Sequence, residues 1–101
     1  MDNLENKNPT VGDDGFSLLH MAAINGQLDM VKYIISKGVD IDPKDFYGHT
    51  PLHMAAETGK LDVVKYIIGK LEDKSPKDNF GHTPLHMAAD CRQLIVFKYL
   101  P

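Results

Sequence analysis

The clearest pattern along this chain is an apolar stretch broken by a thin line of polar residues. In Leu28-Asp29-Met30-Val31-Lys32-Tyr33-Ile34-Ile35-Ser36, a helical turn of ~100° per residue places Asp29, Lys32 and Ser36 within an arc of roughly 60°. Apolar residues fill nearly all the rest, so the pattern predicts a helix with neighbours on several sides. Leu61-Asp62-Val63-Val64-Lys65-Tyr66-Ile67-Ile68 repeats the pattern, and Leu94-Ile95-Val96-Phe97-Lys98-Tyr99 follows it with apolar Ile95 in place of the acid. Upstream of each lies a second predicted helix. Thr50-Pro51-Leu52-His53-Met54-Ala55-Ala56 begins with a capping hydroxyl and a proline suited to the first helical position. Thr83-Pro84 repeats that start, and Ser17-Leu18 keeps the cap without the proline. Gly26 and Gly59 are suited to left-handed stops. The third copy has Arg92 there, where the same conformation costs ~1–2 kcal/mol, so the pattern does not fix that turn.

These elements recur every 33 residues: Gly15, Gly48 and Gly81; His20, His53 and His86; Tyr33, Tyr66 and Tyr99. Residues 15–45 laid on 48–78 give 19 identities in 31 positions, and 48–68 on 81–101 give 13 in 21. The expected organisation is a tail and linker of a preceding repeat over 1–12, repeats over 13–45 and 46–78, and a shortened repeat over 79–101. The opening residues match the end of the second repeat, and the third stops early, so the chain is expected to be part of a longer array. Helices of 8–10 residues fall below the ~12–15 needed for marginal stability alone, so each unit has to bury its faces against the next. The expected fold is therefore an all-α solenoid of helix-turn-helix units. Turn-forming linkers such as Gly38–Tyr47 project from it. Ile95, Val96 and Phe97 give the last unit an apolar outer face that another repeat or a partner is expected to cover.

The period, the Thr-Pro-Leu-His-Met-Ala-Ala segments and Gly-Lys-Leu-Asp-Val-Val-Lys-Tyr resemble the ankyrin repeat. The resemblance covers 13–101 and, more weakly, the first twelve residues. It implies a non-catalytic protein–protein interaction module, with structural histidines at 20, 53 and 86 that bond around the helix start and between repeats. It also implies partner contacts from the linker tips and the exposed side of each first helix. Carried over position by position, these are Asp13, Asp14, Phe16, Met21, Ile24 and Asn25; then Phe46, Tyr47, His49, Met54, Glu57 and Thr58; then Asn79, Phe80, His82, Met87, Asp90 and Cys91. Aromatic and methionine side chains suit such surfaces. The alternatives are a purely structural spacer in a larger protein and an inhibitor that occludes an enzyme surface.

Composition narrows the remaining chemistry. The net charge of −3 lacks the basic footprint of a nucleic-acid binder. No apolar run reaches the ~18 residues of a membrane span. A single cysteine, Cys91, fits a reducing compartment, the cytoplasm or nucleus. His49/His53 and His82/His86 are spaced four apart, but Thr50 and Thr83 start the helices between them and no third ligand accompanies either pair. No activated nucleophile or phosphate loop is present, so no metal, cofactor, small-molecule substrate or catalytic residue is expected.

Overall fold

The computed structural model describes residue 10 and residues 14–101. Of the tail expected over 1–12 only Thr10 is described, and Asp13 lies outside the described residues. Three helical hairpins follow one another: α1 (Leu18–Ile24) with α2 (Leu28–Ser36), α3 (Pro51–Glu57) with α4 (Leu61–Ile68), and α5 (Pro84–Asp90) with α6 (Leu94–Tyr99). Among the described residues the only β-type pairing is an isolated bridge between Thr10 and Ser17.

Each first helix starts where the hydroxyl pattern places it. Ser17, Thr50 and Thr83 are N-caps whose side chains accept the amides of His20, His53 and His86, and each histidine side chain reciprocates to the cap's own amide. This is a capping box with histidine where glutamate or glutamine is usual, and the cap alone contributes ~1 kcal/mol. The stops follow from backbone geometry: Gly26 and Gly59 have φ of 69° and 73°. Arg92, which the pattern left unfixed, takes the same left-handed conformation at φ 59°. Tertiary packing of α5 against α6 overrides its local preference.

The first helices form one layer, α3 against α1 and α5 against α3, with α2, α4 and α6 behind them. Ala22, Ala23, Ala55, Ala56 and Ala88 are buried at these junctions, so helices approach closely over side chains with no rotamer entropy to lose. Leu19, Leu52, Val31, Val63, Val64 and Ile67 complete the core.

Of the second helices only the middle one is enclosed on several sides; α2 is more open than its pattern predicts, and α6 has the uncovered apolar side expected of it at Ile95 and Phe97, with Val96 turned inward. In α4, Val63, Val64, Ile67 and Ile68 are buried. In α2, Met30 and Tyr33 are exposed although their positions are apolar, and only Val31 and Ile34 are buried. In α6 only Val96 is buried, while Ile95 is 68% exposed. Helix α6 is also the shortest: Leu100 turns to extended backbone (φ −71°, ψ 147°) because Pro101 follows it.

Candidate interaction surface

The linkers end in tight tips built around a buried aspartate. Asp45 and Asp78 are buried and exchange backbone bonds with His49 and Gly48, and with His82 and Gly81. Asp45 Oδ1 accepts the amides of Tyr47 and His49, both at 2.9 Å, and Asp78 Oδ1 accepts those of Phe80 and His82, both at 2.8 Å. Each carboxylate thus fixes the two residues at the tip. Neighbouring tips are tied as well: Phe46 N donates to Asp14 O at 2.8 Å, Asn79 N to Tyr47 O at 2.9 Å, and Asn79 Nδ2 to Phe46 O at 2.9 Å.

Asp78 Oδ2 makes no hydrogen bond of good geometry. It lies 3.1 Å from His49 Nε2 and 3.5 Å from His82 Nδ1. On its other side, His49 Nδ1 is 3.5 Å from Asp45 Oδ2, so His49 stands between the aspartates of two successive tips. Burial pushes the Asp78 carboxyl up. The amides of His82 and Phe80, helped by the His82 and His49 rings, outweigh that and hold it below the ordinary carboxylate value. Neither aspartate was singled out from the sequence, where Asp45 is one residue of the Gly38–Tyr47 linker; the signal was their recurrence three residues before Gly48 and Gly81.

Outside this ring of bonds stand the side chains able to meet a partner. Phe46, Tyr47 and Phe80 are 69%, 52% and 67% exposed. Asp14, Asn25, Asn79, His82, Asp90 and Cys91 are exposed, and Phe16, Ile24, His49, Glu57, Thr58 and Met87 are half-buried. Phe16 stacks on His20 with ring centroids 4.9 Å apart. The methionines do not form a uniform ladder. Met21 is exposed and Met87 half-buried, but Met54 is only 6% exposed, because α3 packs against both α1 and α5. Thr58 Oγ1 also turns inward, donating to Met54 O at 2.8 Å.

The histidines at the helix starts are occupied by backbone. His20 Nε2 lies 2.7 Å from His49 O and His53 Nε2 lies 2.9 Å from His82 O, while both Nδ1 atoms face cap amides. Burial lowers the pKa of both rings, against the opposing pull of those carbonyl bonds. Among the described residues no group of three or more histidine, cysteine, aspartate or glutamate side chains is placed to hold a metal ion. No helix among them is long and apolar enough to cross a membrane.

A comparison with curated proteins finds no match. A family model described as ankyrin repeats (3 copies) matches residues 2–78 and 19–101. Ankyrin repeats are generally protein–protein interaction modules and typically non-catalytic. The capped first helices, close alanine junctions and aspartate-braced tips are the physical content of that match, and the chain belongs to the ankyrin-repeat family.

Proposed function

We propose that this chain is a binding module that holds another protein through its linker tips and the adjoining side of its first helices. The observation that carries this reading is the exposure of Phe46, Tyr47 and Phe80 on tips whose backbone is already braced by Asp45 and Asp78. Large apolar side chains held in water by a rigid backbone are suited to binding, because little conformational freedom remains to be lost on association. The half-buried His49 and Glu57 and the exposed Asn79, His82 and Asp90 supply polar contacts around them. Its mechanism is equilibrium recognition, without a chemical step. The lone exposed Cys91 fits a reducing compartment, so the cytoplasm or nucleus is the proposed location.

The test is affinity capture from the source cell with the wild-type chain and with a Phe46→Ser, Tyr47→Ser, Phe80→Ser variant, followed by direct titration of the captured protein. A partner bound by the wild type and at least tenfold weaker for the folded variant is the expected result. Equal affinity for both would assign the tips no part in binding and favour a spacer role.

A further inference from the structure

Three observations meet at His49. Its ring stands between the carboxylates that brace two successive tips, with Nε2 3.1 Å from Asp78 Oδ2 and Nδ1 3.5 Å from Asp45 Oδ2. The Asp78 side chain is fully buried, and its Oδ2 is the one buried side-chain polar atom without a hydrogen-bond partner among the described residues. The His49 side chain keeps 22% of its surface in water, so protons reach it.

The chemistry of the ring decides what this arrangement does. A neutral imidazole has one N–H and one lone pair, so it can donate to only one aspartate and turns the lone pair toward the other. An imidazolium donates from both nitrogens, and both contacts become charge-assisted. Only the doubly protonated ring satisfies Asp45 and Asp78 at once. The neighbouring units lack the arrangement. Thirty-three residues before His49 stands Phe16, which stacks on His20 and has no ring nitrogen. Thirty-three residues after it, His82 lies 3.5 Å from Asp78, as His49 does from Asp45, but pairs with no further carboxylate among the described residues.

The other groups around His49 leave its charge to these two carboxylates. Its own linker adds the Tyr47 ring at 6.1 Å, and the next linker adds His82 behind Asp78. From the first helices come His53, with ring centroids 5.7 Å apart, and His20, whose Nε2 is 2.7 Å from His49 O. A charge on His49 opposes a charge on either of them, and burial already lowers both their pKa values, so these two rings stay neutral. No lysine or arginine forms an ion pair with Asp45 or Asp78 among the described residues.

We propose that His49 is a proton-operated clamp: on taking a second proton it ties Asp45 to Asp78, and with them the tips of two successive units. Because those tips carry Phe46, Tyr47 and Phe80, proton uptake fixes how the three exposed side chains stand relative to one another. The clamp's contribution is present in acid and lost as pH rises, opposite in sign to that of the buried His20 and His53.

The experiment is a pair of double-mutant cycles, His49→Gln with Asp78→Asn and His49→Gln with Asp45→Asn, read by denaturant unfolding at pH 7.5 and pH 5.5. Asparagine keeps an oxygen for the tip amides, and the cycles cancel the titration of His20 and His53. In both cycles the coupling is expected to grow ~2–5-fold toward the lower pH, as a ratio of unfolding equilibrium constants, and to shrink at high salt. In the wild-type chain with isotope-labelled histidine nitrogens, NMR at the lower pH is expected to show His49 protonated at both ring positions. Coupling that is equal at the two pH values overturns the proposal, as does growth in one cycle alone. A wild-type His49 ring still neutral at the lower pH overturns it without recourse to any variant.

Discussion

His20 Nε2 and the carbonyl of His49 lie 2.7 Å apart, and the direction of that bond is fixed by the other side of the ring. His20 Nδ1 faces the amide of Ser17 at 3.0 Å. An amide can only donate, so Nδ1 is the acceptor, Nε2 carries the proton, and Nε2 donates to His49 O. His53 repeats the arrangement between Thr50 N and His82 O. A second proton would have to sit on Nδ1 against the cap amide, which opposes protonation in the same direction as burial.

This arrangement gives stability a pH dependence of definite sign. His20 and His53 have folded-state pKa values below the ordinary 6.5, so the unfolded chain takes up protons first as pH falls. Their contribution is fully present above pH 6.5 and is lost as pH falls through the lower folded-state values. Asp78, also depressed, adds a loss below its ordinary 3.8 as its own folded-state value is passed. Unfolding midpoints measured by circular dichroism should fall in two stages between pH 7 and pH 3. A midpoint unchanged between pH 7 and pH 5 would remove the histidine part.

Asp78→Ala should destabilise by ~1–3 kcal/mol, since it strips the amides of Phe80 and His82 of a buried acceptor and leaves His49 facing an apolar site. Asp14→Ala removes one 3.2 Å bond at an exposed position and should cost under ~0.5 kcal/mol. Denaturant unfolding of the two variants side by side gives the comparison.

Gly59→Ala and Arg92→Gly should move stability in opposite directions. Alanine at φ 73° costs ~1–2 kcal/mol and crowds Gln93. Glycine at position 92 relieves the strain of φ 59° and should gain about 1 kcal/mol, less what its flexibility costs in the unfolded chain. The same unfolding experiment reads both, and a loss on Arg92→Gly would mean that the arginine makes compensating contacts.

Met54→Ala and Met21→Ala should separate buried from exposed positions of one sequence pattern. Met54, almost fully covered, should cost ~2–4 kcal/mol, and Met21, exposed, under ~1 kcal/mol. Equal losses would mean that α1 and α3 are packed alike.

The 33-residue period, the Thr-Pro and Ser-Leu helix starts and the paired alanines were readable because each is a local rule: a hydroxyl caps, a proline fixes φ, an alanine leaves room. The positions of the helices therefore come from sequence alone, whereas the structural role of His20 and His53 was only implied by the family resemblance and is seen in their bonds to the cap amides and the next unit's carbonyl. Exposure does not, because it belongs to neighbours rather than to residues. Met21 and Met54 occupy one position of the pattern and have different surroundings, as do Val64 and Phe97. Only the stack decided that Arg92 would be forced left-handed, that His49 would stand between Asp45 and Asp78, and that one end would keep an apolar groove. The physical reason is that hydrogen bonds and caps act within a few residues, while burial, charge pairing across units and backbone strain depend on which surface the next element covers.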